Sequence, residues 1–314
     1  MLAFVLKRLL SALPTLLLVS VAVFALVRSV PGDPASLMLG DMATEASVAD
    51  LRTQMGLDRP LPAQFAIWLG KVVTGDLGQS IQYAMPVRPL LVERFMVTAA
   101  VVVSAVLIAA LLAVPAGMLA AWRHGSAWDL GTVATATLLM SVPSFWMGLV
   151  LLLVLGLHLG WLPVVGYVAM SADLKAGLVY LLMPVLTLVL VESGVLIRMA
   201  RAATLEVLRL DYVAHARAKG LPEHIVLGRH VLPNAFAPTW TLIGLTLGNL
   251  LGGIAVVETV FTLPGLGRLL VGAIFARDYP VIQGCMLFIT FVYVMVNLVV
   301  DLVYPVFDPK VVAE

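Results

Sequence analysis

Residues 95–122 read FMVTAAVVVSAVLIAALLAVPAGMLAAW and contain no Asp, Glu, Lys or Arg. A helix needs about 20 predominantly apolar residues to cross a bilayer, and this run is longer than that. In hydrocarbon such a segment must be helical, because a helix satisfies its own backbone hydrogen bonds. The stretch therefore predicts a membrane-spanning helix and, with it, an all-α integral membrane protein.

Five further apolar stretches have the same character, at roughly 9–27, 130–157, 176–197, 237–257 and 281–300, so we predict six transmembrane helices. Only 176–197 contains a charged residue, Glu192. The 314-residue chain is 61% apolar and 12% charged, too little charge for the surface of a water-soluble protein of this length. A net charge of +1 gives no reason to expect nucleic-acid binding.

The distribution of basic residues predicts the orientation of the helices. Lys7 and Arg8 precede the first span, and the 198–236 loop holds six Lys or Arg, against one in 158–175 and two in 258–280. With six spans, both termini and the 198–236 loop face the cytoplasm. The first span has a long apolar core and no small-residue cleavage site after it, so we expect it to stay in the protein as an anchor.

These boundaries divide the chain into four parts. Residues 1–28 are the cytoplasmic N-terminus and first helix, 29–94 an extracytoplasmic segment, 95–305 the core of five helices, and 306–314 a cytoplasmic tail. The 29–94 segment alternates apolar runs with turns, which predicts a small folded cap.

The 198–236 loop is too long and too regular in pattern to be a simple connector. Residues 201–219 read as a helix that stops at Gly220, with Pro222 beyond it, and a second amphipathic piece covers 223–232 and ends at Pro233. This pattern predicts a helical hairpin that docks into a soluble partner. A loop that only fixes topology, or a helix lying on lipid headgroups, fits the same composition.

Glycine and proline mark special positions within the spans. Gly244, Gly248 and Gly252 form two overlapping GxxxG steps on one face of the fifth span, where another helix can approach closely. That helix belongs either to this chain or to a partner subunit. Pro115 and Pro143 remove backbone donors from the second and third spans and should kink them.

Short motifs along almost the whole chain form an ordered series. They are PGDP at 31–34, GLDRPL at 56–61, GDLG at 75–78, SVPSFW at 141–146, WLP at 161–163, RAATLEVL at 201–208, DYV at 211–213, ARAKGL at 216–221, RHVLPNA at 229–235, ETVF at 258–261, PGLGR at 264–268, RDYPVIQG at 277–284 and DP at 308–309. The series resembles permeases of the dipeptide, oligopeptide and nickel branch of binding-protein-dependent ABC importers. Ala214 and His215 stand where the general family pattern has Glu and Ala.

The resemblance implies a type I ABC importer permease fold in a bacterial or archaeal inner membrane. It also implies a homologous second permease, two ATP-binding subunits and an extracytoplasmic substrate-binding protein as partners. The cap would receive that binding protein or only seal the gate. The coupling loop that contacts the ATPases would include Asp211, Tyr212, Ala216, Arg217, Lys219, Gly220, Leu221, Leu232 and Pro233, and the outer mouth would include Glu258, Arg277 and Asp278.

Catalytic chemistry has no support in the sequence. There is no GxxxxGK[ST] loop for ATP, no nucleophile–base pattern and no histidine spacing typical of a metal site, so we expect no cofactor, no metal and no enzymatic activity in this chain. An ion-coupled secondary transporter would need interrupted helices with ionisable groups near the midplane, which the sequence does not favour. Peptides are the expected solute, with nickel, glutathione and opines as alternatives.

Overall fold

The computed structural model describes residues 2–29, 36, 44–54 and 56–307. Within these ranges the chain is helical and has no β-strand, apart from an isolated bridge between Gln79 and Pro86. The predicted all-α class is confirmed. The helices are, in chain order, α1 (Leu2–Ser29), α2 (Glu45–Gln54), α3 (Leu61–Val73), α4 (Val87–Trp122), α5 (Ala127–Ser141), α6 (Ser144–Leu151), α7 (Leu174–Leu208), α8 (Asp211–Ala218), α9 (Glu223–Ile225), α10 (Leu232–Gly253), α11 (Ala255–Val260), α12 (Leu266–Ala276) and α13 (Tyr279–Val303).

Four of these helices, α1, α4, α7 and α13, are long and apolar enough to cross a membrane. Helix α6 continues as a π-helical stretch, Leu152–His158, and this longer segment forms a bent pair with α5. The pair raises the number to five if it is one span. Helix α10 covers most of the predicted 237–257 span and has 22 residues, yet it is not in this set. Its apolar run is interrupted by Asn249 and several threonines. The expected count of six is therefore not confirmed.

The two predicted proline kinks have different outcomes. Pro143 does not kink a continuous helix but separates α5 from α6, whose axes differ by 97°. The preceding residue, Val142, is extended (φ −95°, ψ 122°), as expected before a proline that crowds the helical region. Pro115 lies inside α4, which continues to Trp122. The kink predicted at Pro143 is therefore a break between two helices, and whether 130–157 forms one span stays a prediction.

The longest helix, α4, packs against α7 at the centre of the molecule. Ala105 and Ala109 on its buried face have no exposed surface. A Cβ at Gly117 would overlap the carbonyl oxygen of Ile197 on α7, so only glycine permits this approach. The helix begins at Val87 and not at the predicted residue 95, and its first turns are buried against α12 and α13.

The GxxxG face of α10 packs within the chain. A Cβ at Gly244 would overlap Val300, one at Gly248 would lie 2.8 Å from Tyr293, and one at Gly252 3.4 Å from Ile289. All three partners lie on α13. Of the two interpretations of these glycines, the structure supports intramolecular packing.

The molecule has two ends, and different helices contact each other at each of them. At the end that we call the hairpin end, the indole of Trp240 on α10 donates to the carbonyl of Val300 on α13 (3.1 Å). At the end that we call the cap end, helix α3 lies on α1 through ring contacts of Phe24 with Phe65 and Trp68, at 5.4 and 5.6 Å between centroids. The described part of the cap segment is therefore folded, and it ends where α4 begins.

Candidate functional site

The hairpin comprises residues 209–231 and joins α7 to α10. Helix α7 stops at Leu208, and Leu210 is extended (φ −75°, ψ 142°) before α8 begins at Asp211. The single helix predicted for 201–219 is therefore wrong. An acidic residue in a first turn is favourable at a helix N-terminus, and Asp211 occupies that position in α8.

The turn of the hairpin is built as predicted around Gly220. This residue has φ +76°, a conformation that side chains other than glycine rarely adopt. The Gly220 N–H donates to the carbonyl of Arg217 (2.9 Å) and the Leu221 N–H to that of Ala216 (3.4 Å). These two bonds form a Schellman motif, which fixes the direction in which the chain leaves α8.

The second limb of the hairpin differs from the prediction. Helix α9 continues as a π-helical turn, Val226–Val231, and runs directly into α10. Pro233 lies in the first turn of α10 and does not end the helical segment, so that prediction is wrong. Proline is tolerated in the first turn of an α-helix, because the N–H that it lacks would have no partner within the helix there.

The hairpin has a hydrophobic core of its own. Val213, Val226 and Val231 have no exposed surface. They pack with residues at the C-terminal end of α7 and the N-terminal part of α10; the buried members of the cluster are Ala203, Val207, Val213, Ala216, Val226, Val231 and Ala235. The hairpin is therefore fixed to the ends of two long helices rather than attached as a loose loop.

Polar contacts join the two limbs on the outside. The guanidinium of Arg217 donates to the carboxylate of Glu223 at 2.7 and 3.3 Å, and the hydroxyl of Tyr212 donates to the carbonyl of His230 at 3.1 Å. The Arg217 guanidinium holds the pKa of the Glu223 carboxyl below its usual value. Both charged side chains are about 40% exposed (40% and 42%), so the pair contributes at most about 1 kcal/mol.

The residues predicted for the coupling loop fall into two groups. Ala216 and Leu221 belong to the hairpin core. Asp211, Tyr212, Arg217, Lys219, Gly220, Leu232 and Pro233 are exposed. The exposed apolar side chains Leu210, Tyr212, Ile225 and Leu232 lie among charged neighbours, a composition typical of protein interfaces.

A buried ion pair near the hairpin was not predicted. Arg201 on α7 donates to both oxygens of Asp129, at 2.6 and 2.8 Å, and Asp129 is only 4% exposed. The ring of His124 lies 3.1 Å from the same carboxylate. Ser126 three residues before Asp129 marks the helix start, but nothing in the sequence indicates that Arg201 reaches it. The pair locks the start of α5 to the segment of α7 that leads into the hairpin.

At the cap end, Glu258 is fully buried. Its Oε1 accepts from the Thr98 hydroxyl (2.5 Å) and its Oε2 from the N–H of Arg268 (2.8 Å). The Thr98 oxygen accepts in turn from the N–H of Leu266 (2.8 Å). Thr98 and Glu258 thus cap the first turn of α12, whose N–H groups have no partner within the helix. A side chain with no exposed surface cannot line a mouth, so the expectation for Glu258 is wrong.

The other two residues expected at the outer mouth also differ from each other. Asp278 is fully buried and accepts from the Ser80 hydroxyl (2.5 Å) and the Gln82 N–H (3.0 Å), so it anchors the cap segment to the start of α13. Arg277 is exposed and ends α12 in the left-handed conformation (φ 55°). Only Arg277 of the three presents its side chain to the surface.

Apolar helices long enough to cross a bilayer, with a packed hairpin at one end, define a helical membrane protein. The chain belongs to the family of binding-protein-dependent transport system inner membrane components, whose model matches residues 113–313. The model for the N-terminal part of such membrane components matches residues 1–111. The resemblance inferred from the motif series is therefore confirmed.

Relatives match over 99% of this chain and of their own length. A putative peptide transport system permease protein of Brucella suis biovar 1 is 40% identical. The glutathione transport system permease protein of Escherichia coli O6:H1 is 42% identical. The dipeptide transport system permease protein of Alkalihalophilus pseudofirmus is 34% identical.

Among solved structures, a chain of the MetNI methionine ABC transporter in an inward-facing conformation has the same fold. The TM-score is 0.55 at 17% identity, and the match covers 69% of this chain and 96% of that one. The type I importer permease fold expected from the motifs is thereby confirmed.

Proposed function

We propose that this chain forms one half of the translocation pathway of an ATP-driven importer for di- or oligopeptides. Its hairpin would transmit the motion of ATP-binding subunits to the spanning helices. Relatives named for peptides, dipeptides and glutathione support this solute class, since glutathione is itself a short peptide. Nickel and opines are the alternative solutes.

The observation that carries the proposal is the core of the hairpin. A loop without a core would absorb the movement of a partner, whereas this hairpin is packed against the ends of α7 and α10. Force applied to its exposed face therefore reaches two long helices directly. Closure of the ATP-binding subunits would open the pathway on the outer side, and their reopening would release the solute inside.

The orientation follows from the basic residues. The hairpin and the N-terminus would face the cytoplasm of a bacterium or archaeon, because Lys and Arg concentrate there, and six spans would bring the C-terminus to the same side. The cap end would then face outward, where a substrate-binding protein delivers the solute. The partners would be that protein, a homologous second permease and two ATP-binding subunits, which would carry out the ATP hydrolysis.

The turn at Gly220 provides the test. In Gly220→Pro, proline fixes φ near −65° and cannot adopt the observed +76°, so the turn cannot form. We expect ATP-dependent dipeptide uptake by the complete importer in proteoliposomes to fall at least about tenfold, while membrane insertion is retained. Gly220→Asn is the matched control, because asparagine tolerates the left-handed region, and it should transport almost normally. Uptake by Gly220→Pro at the wild-type rate would refute the proposal that the hairpin transmits motion from the ATP-binding subunits.

A further inference from the structure

Glu258, Thr98 and the N–H groups of Leu266 and Arg268 form a hydrogen-bonded group that we call the Glu258 network. A cavity of about 430 Å³ lies beside it at the cap end. Its lining includes Tyr83, Arg94, Thr259 and Arg268, together with the backbone at the start of α12. Its size falls within the range of small-molecule sites. Arginine side chains from two different helices therefore face one small volume.

Among the residues that the structure describes, neither arginine forms a direct ion pair, although the charge of Arg268 interacts electrostatically with Glu258. The Arg94 Nε is buried and has no hydrogen-bond acceptor in that part of the chain. A buried donor without an acceptor is unfavourable, so the site is incomplete as it stands. The nearby acid Glu258 directs its oxygens to the Thr98 hydroxyl and to backbone N–H groups at the start of α12, and neither oxygen accepts a hydrogen bond from the guanidinium of Arg94 or Arg268.

The same network fixes the backbone at both arginines. Thr98 lies one turn after Arg94 on α4 and donates to Glu258, with a longer contact of 3.4 Å to the Arg94 carbonyl. The backbone of Arg268 is bound to the other oxygen of Glu258. Because the backbone that carries the two guanidinium groups is already ordered, binding an anion there would not incur the entropic cost of ordering it.

We propose that this cavity binds a carboxylate of the transported solute, such as the C-terminal carboxylate of a short peptide. The guanidinium group is planar and presents paired donors that match the two oxygens of a carboxylate. The inference rests on the proposed function, because it identifies where the solute would be held at the outer side of the pathway.

The experiment measures binding to the complete permease–ATPase complex in nanodiscs, without the substrate-binding protein. The probes are a dipeptide with a free C-terminus and the same dipeptide as its C-terminal amide. We expect the wild type to bind the free acid at least about tenfold more tightly than the amide. Arg94→Gln and Arg268→Gln should remove this preference, whereas Arg59→Gln, an exposed arginine of the cap segment outside the cavity, should retain it.

Three outcomes overturn the proposal. Equal binding of acid and amide by the wild type is the first. Unchanged preference in both glutamine variants, with melting temperatures showing that they are folded, is the second. The third comes from a separate titration of the same nanodiscs with the substrate-binding protein: weaker docking of the glutamine variants, with their dipeptide binding unchanged, would mean that the carboxylate comes from that protein. Failure of the proposed function appears separately, as absence of ATP-dependent peptide uptake by the wild-type importer.

Discussion

The hairpin and the Glu258 network are both compact devices built from short helices, but they are stabilised in opposite ways. The hairpin has an apolar interior and its charges outside, as in the pair of Arg217 with Glu223. The Glu258 network has its acid inside, hydrogen-bonded to a hydroxyl and a backbone N–H. The first arrangement leaves an exposed face for a partner, while the second fixes a helix start beside two arginines that form no direct ion pair with any residue that the structure describes.

The largest effect should come from overfilling the Glu258 network. A Cβ at Gly265 would overlap the Glu258 carboxyl, whereas one at Gly272 on α12 would meet nothing within 4 Å. We expect Gly265→Ala to lower the free energy of unfolding by about 3 kcal/mol, because the carboxyl cannot move without losing its donors. The measurement is the melting temperature of the purified complex in detergent.

Gly272→Ala is the matched control and should be neutral or slightly stabilising, since alanine favours a helix over glycine. Equal melting temperatures for the two alanine variants would show that the packing around Glu258 is looser than the structure indicates.

Removing buried side-chain volume from the core of the hairpin should make the hairpin more flexible. Val213→Ala removes two methyl groups from a fully buried position and should weaken the local core by about 2 kcal/mol. Hydrogen exchange of residues 211–231 should accelerate, and the number of ATP molecules hydrolysed per solute imported should rise. Both follow because a loosened hairpin passes on less of the partner's motion.

Val73→Ala serves as the comparison, because Val73 is 79% exposed at the opposite end of the molecule. Its effect should stay within about 0.5 kcal/mol. If Val213→Ala changed neither the hydrogen exchange of the hairpin nor the number of ATP molecules used per solute, the hydrophobic core of the hairpin would not be needed for transmitting motion.

The sequence reveals the hairpin better than the Glu258 network for a physical reason. A turn at Gly220, followed by Pro222, is a local signal that can be read from neighbouring residues. Even there, the break at Leu210 and the π-helical turn before Pro233 escaped prediction, because tertiary packing decides them. Glu258 is bonded to Thr98, 160 residues earlier, and no local pattern reports such a pairing.

The spanning helices show the same limit. Apolar length predicts α1, α4, α7 and α13 well. It does not show that α4 begins at Val87 or that Pro143 turns the chain by 97°, because these depend on what packs beside each helix. Asp129 was missed for a similar reason, since its partner Arg201 lies on another helix.

The smallest expected effect is a response of the hairpin to acid. The Glu223 carboxyl has a lowered pKa in the folded hairpin, so its pairing with Arg217 stabilises the hairpin above the ordinary glutamate pKa of about 4.3. That contribution is lost as the pH falls through the lower, folded pKa. Exchange of residues 216–223, measured from neutral pH into this range and corrected for intrinsic rates, should show a small loss of protection, below about 1 kcal/mol because the pair is exposed. In Glu223→Gln the step should vanish, whereas a step of equal size in that variant would assign the acid response to another group.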